Sequence, residues 1–208
     1  MYLPNIFAEK DMSVIKALVV KHPLGVLISL QNGKIQANHL PFVLISQADT
    51  CQLITHIAKA NPVYDDLDNQ EVLVVFTGEQ GYVSPNWYPS KQQHHRHVPT
   101  WNYQVVHMRG VARVLTDKKS LMFVIGQLTK QQEGAQPKPW KIKDAPADFV
   151  DGLLEHIVAL RIDVTDIQAK SKLSQNRDMV DFLGVIDGLT QSDGLALAQV
   201  MANAKKSN

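Results

Sequence analysis

Five of the chain's 14 aromatic residues fall between Tyr82 and Tyr103, including two of its three Trp. The window reads Tyr82-Val83-Ser84-Pro85-Asn86-Trp87-Tyr88-Pro89-Ser90-Lys91, and resumes after a polar gap as Val98-Pro99-Thr100-Trp101-Asn102-Tyr103. Large aromatic faces beside amide, hydroxyl and imidazole groups are what a pocket for a flat, polar ring needs. The same residues also describe a proline-braced loop whose aromatics plug the edge of a core.

Other chemistries are poorly served. His94-His95-x-His97, with His107 further on, matches no zinc spacing, and no cysteine or nearby carboxylate completes a set. That stretch is expected to be polar and exposed. There is no Gly-x-Ser-x-Gly, and Cys51 has no local activating cation. Neither dinucleotide nor P-loop glycine patterns occur. Any catalysis would therefore be a cofactor's, with the protein orienting it.

Net charge is +1 with 20% charged residues, so no strong basic field points to nucleic acid. DNA stays possible as a partner but net charge does not support it. The run Lys91 to His97 and the tail Lys205-Lys206 are the only small basic clusters, and both read as solvated. No helix-turn-helix with a basic second helix is visible, and Asp178, Asp181, Asp187 and Asp193 disfavour laying the terminal helices on DNA. A single cysteine fits a reducing compartment. No signal peptide and no membrane-spanning run is evident, so the expected location is cytoplasmic.

These residues need elements to position them. Asp11 caps a helix to about Lys21, which His22-Pro23 ends. Leu24 to Leu30 reads as a strand, Asn32-Gly33 as a hairpin turn, and Lys34 to Ile45 as the return strand. Leu53 to Ile57 is a short strand, and Asn61-Pro62 starts a short helix. Glu71 to Thr77 is a buried strand. Tyr103 to Leu115 is a long strand with Gly110 as a candidate bulge. Asp117 caps a helix, Gln131 to Pro146 reads as surface loop, Ala147 to Val158 as helix, and Ala159 to Ile167 as the last strand. Asp178 to Leu189 and Asp193 to Ala204 are terminal helices. Six or seven mostly antiparallel strands with helices at the edges exclude an alternating strand–helix fold and favour a small closed or split barrel. One domain over residues 1–208 is expected.

Ser-Pro-Asn-Trp-Tyr-Pro-Ser-Lys and Val-Pro-Thr-Trp-Asn-Tyr resemble the signature of the PaiB family of FMN-binding negative transcriptional regulators. Met1-Tyr2-Leu3-Pro4, His22-Pro23-Leu24-Gly25, Asn38 to Phe42, His56 to Pro62, Lys172 to Arg177 and Gly184 to Leu189 agree in order and spacing. The chain departs from the family at Ser171, where the resemblance implies an aromatic. The resemblance implies a mainly β, FMN-binding split β-barrel with flanking helices, working as a homodimer with flavin at the subunit interface. It implies a negative regulator of transcription, and the near-neutral charge and acidic terminal helices make that role indirect, through a flavin-bound dimer. The alternative is a flavin-dependent oxidoreductase of the pyridoxamine phosphate oxidase-like split-barrel superfamily.

On that footing FMN has a candidate residue set. Lys59, after Thr55-His56 and before a helix start where backbone donors could converge, is the candidate for the phosphate. Asn38, His39 and Leu40 lie on the preceding strand, where the ring is met in such folds. Trp101, Asn102 and Tyr103 would supply a stacking face and an amide, from the same or a second subunit; Trp101 as a dimer anchor is the other reading. Lys172, Ser174, Gln175 and Asn176 form a polar cluster expected just after the last strand, with Asn176 alternatively capping the next helix.

Overall fold

The computed structural model describes residues 1–47 and 50–206, and the side chains of Lys205 and Lys206 lie outside what it describes. In chain order the elements are β1 (Ala8–Glu9), α1 (Met12–Lys21), β2 (Leu24–Gln31), β3 (Lys34–Pro41), β4 (Val43–Gln47), β5 (Thr50–Ala58), β6 (Glu71–Val83), α2 (Lys91–His94), β7 (Thr100–Leu115), α3 (Lys118–Glu133), α4 (Ala147–Leu154), β8 (Ile157–Lys172), α5 (Met179–Thr190) and α6 (Leu195–Lys206). They form two compact units. The first holds residues 1–15, 77–106 and 168–208; the second holds residues 16–76 and 107–167.

The second unit contains the strand order β3-β2-β6-β7-β8-β5-β4. The pairings of β2 with β3 and β6, and of β5 with β4 and β8, are all antiparallel. Its edge strands are β3 and β4, and the sheet does not close. A mainly β, split β-barrel architecture with flanking helices is what the chain pattern implies. Asn32 and Gly33 both take positive φ, +49° and +73°, so the hairpin turn is the tight primed type. Asp11 caps α1 through a hydrogen bond accepted from Ser13 N at 2.7 Å. One core cluster packs Leu121, Val124 and Leu128 of α3 against Val43, Ile54 and Ala159.

Several boundaries differ from the sequence reading. Lys34 to Ile45 is two strands, broken at Phe42, whose N–H turns away to Pro23 O at 2.9 Å. Pro41 has no N–H to keep the ladder going. Gly110 is not a bulge. The buried–exposed alternation of β7 runs through it in phase. A Cβ there would lie 2.4 Å from Asp163 O, so the glycine permits close approach of the next strand. The helix expected at Ala147 to Val158 ends at Leu154, and β8 runs from Ile157 to Lys172, five residues beyond the expected end.

In the first unit, the ends of β6, β7 and β8 carry α5 and α6 on one side, and β1 pairs antiparallel with β8 at Ala8–Lys170. Val83, Tyr88, Leu173, Phe182, Val185, Leu189, Leu197 and Met201 fill the space beneath the helices. Asp178 caps α5 by accepting from Asp181 N at 2.8 Å. Asn176, exposed, does not cap it.

Candidate functional site

In the second unit the turn after β5 gathers part of the expected set. Asn38 Oδ1 accepts from Asn61 Nδ2 at 2.8 Å, tying β3 to that turn. Thr55 is fully buried and its hydroxyl donates to Pro41 O at 2.7 Å, so it clamps β5 to the end of β3 and offers nothing outward. His56 is part-buried; its Nδ1 is buried without a partner among the described residues, and burial holds the imidazole below its ordinary pKa. His39 is exposed, and strand alternation puts it on the face opposite Asn38 and Leu40. Lys59 is exposed in the turn.

The backbone donors expected there are largely taken. Lys59 N–H donates to His156 O, Asn61 N–H to Ala58 O, and Val63 N–H to Asn61 Oδ1, while Pro62 has none. The element that follows is a five-residue 3-10 turn, Pro62–Asp66. An anion at this turn would rest on the Lys59 ammonium and the Asn38 amide, which suits a phosphate held by side chains.

In the first unit the strand parity divides the remaining residues. Asn102 is fully buried on the helix side. Its Nδ2 donates to Ser174 Oγ at 2.9 Å and approaches Met201 Sδ at 3.5 Å, and its Oδ1 has no partner among the described residues. Trp101 and Tyr103 point to the opposite face. The three consecutive residues therefore cannot meet one ligand face together, and the amide expected from Asn102 is directed into the core. Ser174, buried at φ +64°, and Gln175, which donates from Nε2 to Ser171 O and accepts from Leu173 N, shape the end of β8.

Lys172 is the last residue of β8, not part of a loop after it. Its Nζ donates to Thr100 Oγ1 at 2.5 Å and to Trp101 O at 2.6 Å. Burial, then the neighbouring charges of Lys170 and Arg177, hold this amine below the ordinary lysine range. Ser171 faces the helices, with its Oγ 3.2 Å from Gln104 Nε2. An aromatic there would not have joined the Trp101 face, so this departure does not touch the stacking surface.

The signature window does something the sequence reading missed. Trp87 packs on α5, where Gly184 and Gly188 leave room for it: a Cβ on Gly188 would lie 2.3 Å from the Trp87 ring. Ser90 N and Oγ donate to Asp181 Oδ1 and Oδ2 at 3.0 and 2.7 Å. His97 is not an exposed loop residue. Its side chain is only 5% exposed, stacks on Tyr88 at 4.6 Å and 26°, and puts Nε2 2.7 Å from Ser90 Oγ. Arg177 lies over the Tyr88 ring, 4.7 Å from its centroid, with Nη1 3.4 Å from His97 Nδ1. Burial pushes the Asp181 carboxyl up, but the two Ser90 hydrogen bonds and the His97 and Arg177 charges outweigh it and hold the pKa low.

Serine, histidine and aspartate in one cluster suggest a nucleophile, but the proton positions forbid it. A carboxylate only accepts, so the Ser90 hydroxyl proton lies toward Asp181. His97 Nε2–H then donates to Ser90 Oγ and cannot act as its base. The cluster fastens the Ser84–Lys91 window to α5. Its only sequence signal was the joint presence of Gly184, Gly188 and Trp87 in the resemblance.

A family model described as "Putative FMN-binding domain" matches residues 1–166. The chain is 32% identical over 194 residues to "Protease synthase and sporulation protein PAI 2" of Bacillus subtilis, covering 93% of this chain and 91% of that protein. Among solved structures it is similar to the flavocytochrome Anf3 of Azotobacter vinelandii, with a TM-score of 0.58, 14% identity, and 85% and 75% of the two chains covered. It is also similar to the FAD and heme binding protein of Mycobacterium smegmatis, with a TM-score of 0.54, 15% identity, and 85% and 78% covered. At such identities these two speak for the fold alone.

Proposed function

Because the chain belongs to the PaiB family of FMN-binding domain proteins, we propose that it works as a homodimer whose FMN-bound form lowers transcription indirectly, in the cytoplasm. The observation that carries the flavin part is the turn after β5. It presents a lysine ammonium and an asparagine amide with most neighbouring backbone donors already used, a side-chain receptor suited to a phosphate. Lys59 is the proposed phosphate ligand, with Asn38, tied to the same turn through Asn61, and His39 on β3 as further proposed contacts. Trp101 and Tyr103 are the proposed ring contacts. FMN, when bound, supplies one- or two-electron transfer; the protein's part is to bind and orient it.

The indirect role follows from charge. Among the α5 residues Asp187 is the exposed charge, Asp181 is buried, and there is no Lys or Arg, so that helix offers a phosphate backbone nothing to pair with. A flavin-dependent oxidoreductase is the second reading, favoured by the fold's likeness to a flavocytochrome and to a FAD and heme binding protein.

The test is an FMN titration of the full-length apo-protein followed by flavin fluorescence, with mass measured in the same sample. Saturation near one FMN per subunit in a dimer is expected. Lys59→Ala, His39→Ala and Trp101→Ala should each weaken FMN; if all three bind as the wild type does, the residue assignment is wrong. Turnover of an electron donor by the FMN-loaded protein would shift the reading to the oxidoreductase.

A further inference from the structure

The outward side of α5 departs from the pattern of a surface helix. A helix lying on a protein in water turns an apolar stripe to the core and polar side chains to solvent. The core side of α5 is filled by Phe182, Val185 and Leu189, with the buried Asp181 held by Ser90. On the other side Met179, Val180 and Leu183 are 51%, 61% and 50% exposed. None of these three joins the cluster beneath the helices. Met179, Leu183 and Asp187 follow at intervals of four, so they form one ridge along the helix, with Val180 beside it. A helix this apolar on both sides is normally covered on both sides.

The charge around the ridge selects the kind of cover. Residues 178–204 hold four aspartates and no Lys, Arg or His. Asp181 is buried and satisfied, which leaves Asp178, Asp187 and Asp193 exposed. Among the described residues none of these three pairs with a cation. Asp187 continues the ridge, and Asp193 lies just past the C-terminal end of α5, where the helix carbonyls add negative potential. The face is thus apolar over its first turns and negative toward its end. A nucleic acid or an anionic membrane surface would meet only carboxylates here. Two copies laid ridge to ridge would bring aspartates together with no base between them. The helix has no strand edge for an extended peptide to join, whereas an i, i+4 ridge seats in the groove of a second helix.

We propose that the Met179–Asp187 ridge of α5 is a docking surface for a basic amphipathic helix of a partner protein. The partner's apolar side chains cover Met179, Val180 and Leu183, and its Lys or Arg residues meet Asp187 and Asp193. The surface gives the indirect regulatory role a point of contact and rests on that reading only for its use in the cell; it requires no flavin.

The test uses two fluorescein-labelled peptides of about 18 residues, long enough to hold a helix against a partner. Both carry leucines at i, i+3, i+4 and i+7. One has lysines along the flanks of that stripe, and the other has glutamates in the same places. Each is titrated into the full-length protein at about 20 mM and about 300 mM salt, with fluorescence anisotropy as the readout. The lysine peptide should bind at least about tenfold tighter at low salt, and the gap should narrow at high salt. Leu183→Gln should weaken the lysine peptide about fivefold at both salts. Asp187→Asn should weaken it about threefold at low salt and little at high salt. Leu153→Gln, at a similarly exposed leucine on α4, should change nothing.

Flavin titration and circular dichroism of the same variants keep this surface apart from the flavin reading. Neither Leu183 nor Asp187 belongs to the proposed flavin set, so both variants should bind FMN as the wild type does. Failure of the wild type to bind FMN would remove the flavin reading and leave the peptide result in force. No binding of either peptide, equal affinity for the two, or folded Leu183→Gln and Asp187→Asn proteins with wild-type peptide affinity would overturn the proposal. Conversion of a dimer to a monomer by Leu183→Gln, read by light scattering, would assign the ridge to a second copy of the chain and overturn it as well.

Discussion

Gly184→Ala tests whether the Ser84–Lys91 window truly seats on α5. A Cβ on Gly184 would lie 2.2 Å from Trp87 O and 2.7 Å from Pro89 Cδ. Ordinary carbon contacts begin near 3.5 Å, so the loop must retreat by roughly 1 Å. Neither obstacle is a flexible side-chain end: one is backbone, the other a proline ring. The two Ser90 hydrogen bonds to Asp181, on the same helix as Gly184, also hold the loop in place and resist that retreat. Overpacking of this kind costs about 1–3 kcal/mol, and the rigid obstacles put it at the upper end. Alanine recovers about 1 kcal/mol of helix propensity, leaving a net loss of about 2 kcal/mol. In a chain of this size that lowers Tm by about 4–8 °C. Gly126→Ala is the control of opposite sign: it sits mid-helix in α3 with nothing within 4 Å of the new Cβ, and should gain about 0.5–1 kcal/mol. Differential scanning calorimetry of both variants checks the pair. A Gly184→Ala protein melting at or above the wild type, beside a stabilised Gly126→Ala, would refute the packing argument.

Three further outcomes are expected. Asp181 has a depressed pKa in the fold, so its stabilisation is present above the ordinary carboxylate value of about 3.9 and is lost as pH falls through the lower folded value. The gap in urea midpoint between the wild type and Asp181→Asn should therefore close as pH drops from about 6 to below about 3. His56 is held neutral by burial, so the unfolded chain takes up its proton first; this contribution is present above about pH 6.5 and lost below it. Wild type should lose stability relative to His56→Gln between about pH 7 and pH 5, measured by urea midpoints. Thr55→Val keeps the volume and removes the buried hydroxyl bonded to Pro41 O, which should cost about 1 kcal/mol with an unchanged urea m-value.

The order of elements was legible because its signals are local. Asn32-Gly33, Asp11 and Asp117 act through turn and cap chemistry that needs no distant partner. What failed depends on tertiary surroundings. The expected last strand stops at Ile167 because Gln168, Lys170 and Lys172 read as solvated side chains, whereas Lys170 packs on Tyr2 and Tyr103 and Lys172 bonds to Thr100 and Trp101 of the neighbouring strand. His97 looked solvated because its partners Asp181 and Arg177 are more than 75 residues away in sequence. Asn102 was grouped with Trp101 and Tyr103 by adjacency, whereas period-2 alternation sends it to the other side of the sheet.

That division explains what a family signature can and cannot report. Trp87, Ser90, Gly184 and Gly188 are mutually dependent: a side chain at either glycine would run into the Trp87–Pro89 segment, and losing the Ser90 hydroxyl strips the buried Asp181 of one donor and leaves it only the backbone N–H of residue 90. Residues bound together this tightly identify a fold, since no one of them can drift without a compensating change. The other signature segments use both faces of the strands: in Val98–Tyr103 and Lys172–Arg177, Asn102 and Leu173 point to the helices while Trp101 and Lys172 point away from them. Substitutions on the helix side of these motifs should therefore register as stability, and those on the outward side as changes at the surface where the proposed ring contacts lie.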